Sequence, residues 1–366
     1  MSNRSITIQA PGKLMVAGEF AVLEPYHQLV VMAVNRYVYA TISAQGENRL
    51  SLMDFGLTDL EWEYNPSKCH VHSSDERIRF VKDAMTVVLS YLSENGIPLN
   101  NFHLSIKSEL DDSSGKKYGL GSSAAVVTSV VAAILHQHLP TKPTKELIFK
   151  LAAIAHVKTQ GSGSGADVAA SSYGGFLLYR SFQADWLLEQ YTLARSITGL
   201  VQQDWLYCSV QPIELPDNVH ICIGWTGSPA STSKLIPRIR QLNEDHPKCY
   251  GQFLQTSEQA VSSFMKGMVA GDVDLLCRGI VDNRHALATV GEHAGVAVET
   301  PLLKTLCDLA EKYGGVGKPS GAGGGDCGIA FMPNQEKANQ LMKAWQDAGI
   351  KPLTIVPYPY GAKIIE

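Results

Sequence analysis

A loop rich in glycine and serine, residues 118–125, has the residue types that bind phosphate. Its sequence is Tyr-Gly-Leu-Gly-Ser-Ser-Ala-Ala, and apolar residues with helical spacing follow it. Glycines let the backbone approach an anion closely, and the free amides at the start of a helix carry partial positive charge. The hydroxyls of Ser122 and Ser123 can bind phosphate oxygens or a metal ion. The loop predicts a phosphate site, although the same residues also suit a tight turn between a strand and a helix.

This loop differs from two common nucleotide-binding patterns. A Walker A motif needs Gly-Lys followed by Ser or Thr at a fixed spacing, and that sequence is absent here. The dinucleotide fingerprint of parallel sheets needs a glycine where Ala124 stands. A nucleotide at this loop would therefore be bound in another way.

Two further glycine-rich segments lie far apart in the chain. Residues 11–19, Pro-Gly-Lys-Leu-Met-Val-Ala-Gly-Glu, place Lys13 near two glycines, where it could meet a phosphate or be an ordinary solvated lysine. Residues 320–328, Ser-Gly-Ala-Gly-Gly-Gly-Asp-Cys-Gly, are too rich in glycine for the interior of a helix or strand. This segment is either a linker or a close backbone approach to a ligand, and its place between a predicted helix and a strand favours the second.

A fourth segment, residues 160–167, ends in a single carboxylate, Asp167. Phosphoryl transfer depends mainly on positioning and on neutralising charge. Asp167 could orient an acceptor or take its proton, and Lys13 could neutralise charge on the moving phosphoryl group. The alternative is that Asp167 only caps the helix that follows it.

Strands and helices must hold these four segments in place. Period-two alternation predicts strands, and apolar residues three and four apart predict helices. In the first half the predicted strands are 6–8, 29–43, 102–106 and 175–179, and the predicted helices are 78–92, 126–135 and one starting at Thr144. In the second half the predicted strands are 206–213, 219–225, 327–332 and 353–357, and the predicted helices are 251–270, 272–288, one starting after Thr300-Pro301, and 335–348.

The order of these elements indicates an α+β fold with two domains. Short strands alternate with paired helices in both halves, which favours an α/β sandwich in each. A less regular stretch at 183–203 separates the halves. We therefore predict domains at 1–190 and 191–366.

Composition and net charge indicate which kinds of partner the protein binds. The chain of 366 residues is 45% hydrophobic and 18% charged, which suits a folded protein with a sizeable core. Its formal charge of -4 argues against a nucleic acid held by bulk electrostatics. Seven scattered cysteines and the lack of a long apolar run predict a cytoplasmic protein that binds small molecules and no membrane. The oligomeric state stays open.

The glycine-rich segments, taken together and in this order, resemble the motifs of the GHMP kinase superfamily. Residues 11–23 are similar to its first motif, 118–128 to its second and 320–330 to its third. The resemblance spans nearly the whole chain. It implies an N-terminal half like domain 2 of ribosomal protein S5, a C-terminal ferredoxin-like α/β sandwich, and an active site in the cleft between them.

Within the superfamily the chain is most similar to the bacterial phosphomevalonate kinases. The segments that carry this similarity are 12–19, 117–123 and 320–330, and Gly-Trp-Thr-Gly at 224–227 followed by Ser-Thr-Ser at 231–233 resembles a segment of the mevalonate-pathway kinases. The resemblance implies ATP and Mg²⁺ as cofactors. It also implies transfer of the γ-phosphoryl group to (R)-5-phosphomevalonate, which gives 5-diphosphomevalonate and ADP in isoprenoid biosynthesis.

The resemblance also implies roles for individual residues. Lys13 and Asp167 are the expected catalytic residues, and Ser123 is the expected metal contact. The expected ATP-binding residues are Lys117, Gly119, Leu120, Gly121, Ser122, Ser123 and Ala124. The expected substrate-binding residues are Lys13, Glu19, Ser162, Ser164, Thr232, Ser320, Gly321, Gly323 and Gly324.

Two features depart from the simplest version of this mechanism. His156 stands where mevalonate kinases carry a metal-binding glutamate, and a neutral imidazole is a poor ligand for Mg²⁺. The acceptor is itself a phosphate and needs little deprotonation, so the emphasis moves from Asp167 to Lys13. Additional cations are needed for the acceptor, and the candidates are Lys116, Lys117, Arg284 and Lys318.

Four alternatives stay open from sequence. The first is a mevalonate kinase or another GHMP small-molecule kinase, and the second is the related diphosphomevalonate decarboxylase. The third is a catalytically inactive ATP-binding sensor, against which the presence of Lys13, Ser123 and Asp167 argues. The fourth is a non-enzymatic scaffold with incidental glycine turns.

Overall fold

The computed structural model describes residues 5–65, 68–112, 115–216, 219–228 and 232–365, without the side chains of 232–234. A nine-stranded sheet and a four-stranded sheet, both flanked by helices, form the framework. The α+β class predicted from sequence is confirmed.

The strands in chain order are β1 (Ser5–Ala17), β2 (Gln28–Ala44), β3 (Arg49–Leu52), β4 (Leu57–Asn65), β5 (Lys68–Val71), β6 (Phe102–Ser108), β7 (Phe176–Arg180), β8 (Ser209–Ile213), β9 (His220–Trp225), β10 (Val316–Pro319), β11 (Cys327–Met332), β12 (Lys351–Leu353) and β13 (Lys363–Ile364). The helices are α1 (Arg79–Glu94), α2 (Ser122–His138), α3 (Lys145–Gln160), α4 (Ala166–Tyr173), α5 (Ala184–Leu193), α6 (Ile197–Gln202), α7 (Thr232–Asp245), α8 (Pro247–Ala270), α9 (Val273–His293), α10 (Pro301–Lys312) and α11 (Gln335–Asp347). Short 3-10 helices cover Ala21–Leu23, Met53–Phe55 and Glu76–Ile78.

The larger sheet is built around two long neighbouring strands, β1 and β2. They pair antiparallel from Ser5 opposite Ser43 to Ala17 opposite Val30. The register shifts between Pro11 and Gly12, so the pairing is interrupted where the first glycine-rich segment begins. After this shift the amide of Lys13 donates to the carbonyl of Leu120 at 2.9 Å. The irregular strand thus brings Lys13 against the glycine–serine loop.

Helices α1 to α4 provide the core of this part. The segment from Ala124 to Leu135 is almost entirely buried, which explains why α2 is apolar on nearly all sides. Thr144 caps α3 as predicted, because its side chain accepts a hydrogen bond from the amide of Leu147. The four helices place the loops at 118–123 and 161–166 on the same side of the core.

The smaller sheet has the order β10-β11-β9-β12, and all of its pairs are antiparallel. Thr300 caps α10 and Pro301 occupies its first turn, as the sequence predicted. Within the described residues, no helix is long and apolar enough to cross a bilayer.

Some predictions of local structure were wrong. Residues 183–203 contain α5 and α6 instead of an irregular stretch, because Ser196 caps α6 and Leu187 and Leu200 are buried. The last predicted strand, 353–357, is shorter and earlier, since β12 ends at Leu353. Pro357 forms only an isolated bridge with Val34, which fits a residue that lacks a backbone N–H.

The proposed domain boundary at residue 190 stays a prediction. β8 and β13 lie after this residue, and they pair with β7 and β1 in the larger sheet. One hydrophobic cluster also includes side chains of both sheets, such as Val31 and Ile329. The two halves therefore share strands and core.

Candidate active site

The four glycine-rich segments meet at one cavity of about 450 Å³. Its wall contains residues of β1, of the loop before α2, of the loop before α4 and of the loop between β10 and β11. The first and the last of these segments lie more than 300 positions apart in the chain. All four nevertheless contribute side chains or backbone to the same space. Their convergence makes this cavity the candidate active site.

Most residues predicted for the site line the cavity. They are Lys13, Glu19, Lys117, Gly119, Leu120, Gly121, Ser122, Ser123, Ser164, Asp167, Ser320 and Gly321. Ala124, Ser162, Gly323 and Gly324 do not line it. The side chain of Thr232 lies outside the described part of the structure, so its predicted role stays a prediction.

Packing accounts for the predicted residues that lie off the cavity. Ala124 is fully buried inside α2. A Cβ atom at Gly323 would lie 2.2 Å from the carbonyl oxygen of Val298, and one at Gly324 would lie 2.8 Å from Leu235 Cδ1. The carbonyl of Ser162 accepts a hydrogen bond from Gln160 Nε2 at 2.9 Å. These residues shape the segments, and a direct contact with substrate stays a prediction for them.

Lys13 lies directly along the glycine–serine loop. Its Nζ donates to the carbonyl of Gly119 at 3.2 Å. Gly121, at the N-terminus of α2, has φ of 77°, a conformation that favours glycine. A Cβ atom there would lie 3.0 Å from Lys13 Cγ and 3.4 Å from Asp167 Cβ. Gly121 therefore lies next to both predicted catalytic side chains, and its lack of a side chain lets both approach the loop.

Asp167 lies both at the start of a helix and at the wall of the cavity. It lies in the first turn of α4, and its Oδ1 accepts a hydrogen bond from the amide of Val168 at 3.0 Å. A carboxylate is favourable at this end of a helix. Asp167 also lines the cavity. Its position at the start of a helix thus fixes the carboxylate without removing it from the site.

Ser123 is hydrogen-bonded to the histidine that replaces the expected glutamate. Its Oγ lies 3.1 Å from His156 Nε2, and His156 on α3 is only 3% exposed. Burial lowers the pKa of His156, and the nearby Asp167 opposes this shift only in part. The imidazole is therefore neutral at physiological pH. It contacts the hydroxyl of Ser123 and is not among the residues that line the cavity.

Two of the candidate cations for an acceptor phosphate are bound elsewhere. Lys318 is fully buried, and its Nζ donates to Glu19 Oε1 at 2.5 Å. Arg284 binds Glu299, Asp308 and Glu311 through its guanidinium. Lys117 lines the cavity, whereas its neighbour Lys116 does not. Within the described residues, Lys13 and Lys117 are the cationic side chains of the cavity wall.

Asp326 and an apolar wall of the cavity were not predicted from the sequence. Asp326 lines the cavity with φ of 52°, and a Cβ atom at Gly119 would lie 2.5 Å from its Cγ. Its place directly after three glycines was the available signal. The apolar lining residues are Met15, Phe20, Val22, Leu23, Leu29, Leu110, Ile236 and Ala322. Met15 could have been found from the strand period, since it shares a face of β1 with Lys13.

The cavity suits a metal ion that arrives with phosphate groups. No group of three or more His, Cys, Asp or Glu that could hold a metal occurs among the described residues. Ser123 and Asp167 offer oxygen atoms, the ligand type that Mg²⁺ prefers. Mg²⁺ usually keeps several waters and takes further ligands from substrate phosphates. The residues present therefore fit Mg²⁺ bound mainly through a nucleotide.

Comparison with known proteins identifies the family. The pattern of the GHMP kinases N terminal domain matches residues 79–175, and that of the GHMP kinases C terminal matches residues 264–351. The phosphomevalonate kinase of Streptomyces sp. (strain CL190) is 32% identical over 369 residues, which cover 97% of each chain. The chain belongs to the GHMP kinases. This family membership confirms the resemblance predicted from its three motifs.

Solved structures share the whole fold of this GHMP kinase. A Lin0012 protein from Listeria innocua matches with a TM-score of 0.92 and 35% identity, covering 99% of this chain and 100% of that one. The Streptococcus pneumoniae phosphomevalonate kinase in complex with phosphomevalonate and AMPPNP matches with a TM-score of 0.82 and 26% identity, covering 97% and 99%. The two-part GHMP kinase architecture is therefore confirmed over nearly the full length.

Proposed function

We propose that this GHMP kinase transfers the γ-phosphoryl group of ATP to the phosphate of (R)-5-phosphomevalonate. The observation that carries the proposal is the meeting of four glycine-rich segments at one cavity, with Lys13 and Asp167 both next to Gly121. The chain's near full-length likeness to a phosphomevalonate kinase supports this choice of acceptor. The products are ADP and 5-diphosphomevalonate, an intermediate of isoprenoid biosynthesis.

In this reaction an oxygen of the acceptor phosphate attacks the γ-phosphorus of ATP. The bond between that phosphorus and the β,γ-bridging oxygen breaks, and ADP leaves with the bridging oxygen. The acceptor phosphate is already an anion, so the attack needs little proton removal. The main task of the protein is to position two anionic groups and to neutralise their charge.

The loop before α2 is proposed to bind the ATP phosphates. Its free amides lie at the N-terminus of a 17-residue helix, which favours an anion. The hydroxyls of Ser122 and Ser123 and the ammonium of Lys117 add polar contacts at the same wall. When bound, Mg²⁺ supplies positive charge to the phosphates, and Ser123 Oγ is the proposed protein contact.

Lys13 is proposed to act on the transferred group. Its position along the glycine–serine loop, at 3.2 Å from the carbonyl of Gly119, lets the ammonium neutralise negative charge that passes between the two phosphates. Asp167, which also lies next to Gly121, is proposed to orient the reacting groups. Ser164, Ser320 and Gly321 at the cavity wall are proposed to contact the acceptor.

The proposed place of action is the cytoplasm. All seven cysteines are free, including four that are buried. Unpaired thiols are typical of proteins in reducing compartments.

Release of ADP with two acceptors tests this function. We expect turnover with (R)-5-phosphomevalonate and little with mevalonate in the same coupled assay, with Lys13→Met as the inactive control. Turnover with mevalonate alone would overturn the proposed acceptor. Release of carbon dioxide from 5-diphosphomevalonate would indicate a decarboxylase, and ATP binding without turnover of any acceptor would indicate a sensor.

A further inference from the structure

A buried ion pair lies at the edge of the cavity. Lys318 of β10 is fully buried and Glu19 is 3% exposed. The Nζ of Lys318 donates to Glu19 Oε1 at 2.5 Å and to the carbonyl of Pro319 at 2.6 Å. The pair joins residues 299 positions apart, one in the first glycine-rich segment and one two positions before the third.

The carboxylate of Glu19 has two further partners. The amide of Gly321 donates to Oε1 at 3.3 Å. The fully buried Asn283 on α9, with its amide nitrogen facing the carboxylate, donates to Oε2 at 3.0 Å and accepts from the amide of Gly18 at 3.1 Å. Glu19 is therefore held by β10, by α9 and by the loop that follows β10.

These contacts connect to the cavity itself. Glu19, Ser320 and Gly321 all line it, whereas Lys318 and Asn283 lie behind them. Ser320 Oγ also donates to the carbonyl of Met15 on β1 at 2.9 Å. The start of the loop between β10 and β11 is thus attached to β1 by the Ser320 hydroxyl and to the turn after β1 by the Glu19 carboxylate.

Stability alone is a weak explanation for this pair. Taking two charges out of water is costly, and a buried ion pair is often no better for stability than apolar side chains of similar volume. Its position has a clearer consequence. An unpaired carboxylate in the wall of a cavity that receives phosphate groups would repel them.

We infer that Lys318 is a positioning residue for phosphoryl transfer: it neutralises Glu19, whose carboxylate accepts from the amide of Gly321, so that the cavity wall accepts polyanions. Glu19 then acts as the anchor of this wall instead of as a ligand of the substrate. The inference rests on the proposed function only in taking phosphate-bearing ligands for the cavity.

The direction of the change in AMPPNP affinity distinguishes this role from a purely structural one. Lys318→Met leaves an uncompensated negative charge, so we expect the Kd for AMPPNP and the KM for ATP to rise by at least about tenfold. Glu19→Gln leaves a positive charge, so AMPPNP binding is expected not to weaken. The double variant Glu19→Gln/Lys318→Met carries neither charge, and its Kd is expected to return to within about threefold of the wild-type value.

Ionic strength provides a second readout. The difference in AMPPNP Kd between Lys318→Met and the wild type should shrink as salt is added, because the repulsion is partly screened at the open cavity. Arg284→Met is the matched control, since Arg284 is a buried cation next to Asn283 on α9 whose carboxylate partners do not line the cavity. Its melting temperature should fall while its AMPPNP Kd stays within about twofold of the wild-type value.

Two results would overturn the inference. One is an unchanged AMPPNP Kd in Lys318→Met despite a lower melting temperature, and the other is equal weakening in Lys318→Met and Glu19→Gln. If Lys318→Met does not fold, Lys318→Gln replaces it, because glutamine keeps a hydrogen-bond donor and removes the charge. The AMPPNP measurement needs no acceptor, so it remains decisive even if the wild type does not turn over phosphomevalonate.

Discussion

The two buried cations Lys318 and Arg284 pair with carboxylates in different places. Lys318 is 0% exposed and pairs with Glu19, which lines the cavity. Arg284 is 8% exposed and binds Glu299, Asp308 and Glu311, none of which is among the cavity-lining residues described. A buried charge therefore does not by itself mark a functional site. The place of its carboxylate partner is what matters.

Adjacent residues of helix α9 bind the carboxylate at the cavity and the carboxylates away from it. Asn283 of α9 binds Glu19, while the next residue, Arg284, joins α9 to α10 through Asp308 and Glu311. Burial alone would lower the pKa of Arg284, but its hydrogen bonds to Glu299 and Asp308 raise it above the usual value. The guanidinium is therefore always charged, and its three carboxylates stabilise the packing of the helices.

The largest effect on activity is expected at Lys13, because it is the cation proposed to act on the transferred phosphoryl group. Lys13→Met should lower kcat by about 10²-fold or more, since a preorganised charge near the transferred group is lost. Asp167→Asn should lower kcat less, because the acceptor phosphate needs little deprotonation. Steady-state kinetics of both variants measure the order.

The melting temperature is the control for this pair. Neither variant should lose more than about 1 kcal/mol of stability, because both side chains lie at a cavity. A larger loss of kcat in Asp167→Asn than in Lys13→Met would show that proton transfer, and not charge neutralisation, dominates.

Arg284→Met should lose stability and keep its activity, the opposite of what is expected for Lys13→Met. Arg284 is buried, but its partners Asp308 and Glu311 are about half exposed, so its removal should cost about 1 to 3 kcal/mol and lower the urea midpoint. The values of kcat and KM for the remaining folded enzyme should match the wild type. A raised KM for ATP would contradict the separation of the two clusters, and Arg284→Lys is the variant to use if the methionine variant does not fold.

Gly121→Ala tests whether the backbone of the glycine–serine loop positions Lys13. The new Cβ would lie 3.0 Å from Lys13 Cγ, at a residue with φ of 77°. We expect a loss of about 1 to 2 kcal/mol in stability from the left-handed conformation, and about tenfold in kcat from a displaced Lys13.

Gly56→Ala is its matched control. Gly56 has φ of 65°, and a Cβ atom there would meet no atom within 4 Å. It should lose similar stability and keep full activity. Equal kcat values for the two variants would mean that Gly121 matters only for its backbone conformation.

Asp308→Asn should have the smallest effect, and this effect should depend on pH. The hydrogen bond from Arg284 lowers the pKa of the Asp308 carboxyl below its usual value. A lowered pKa means that the carboxylate stabilises the fold above the unfolded-state pKa, and that this contribution disappears as pH falls through the folded-state pKa. Because Asp308 is about half exposed, the difference at neutral pH should stay below about 1 kcal/mol.

Denaturation of wild type and Asp308→Asn between neutral and acidic pH measures this dependence. The two curves should approach each other as the solution becomes acidic. A difference in stability that grows on acidification would show that Arg284 does not interact with this carboxylate as described.

Sequence alone determined the features that depend on neighbouring residues. The caps at Thr144 and Thr300, the strand at 327–332 and the glycine-rich segments at 11–19, 118–125 and 320–328 follow from short-range geometry and local hydrogen bonds. The order of those segments was enough to indicate the family. The α+β class also followed, because periodicity reports which face of each element is buried.

Which charges face the cavity depends on contacts across the complete fold. From sequence, Lys318 and Arg284 were equal candidates for binding an acceptor phosphate, and Glu19 was a candidate substrate ligand. Their burial and their partners depend on contacts between residues as far apart as Glu19 and Lys318, 299 positions in the chain. Local patterns carry no information about such pairs, because the desolvation and pairing of a charge are set by whatever the complete fold packs against it.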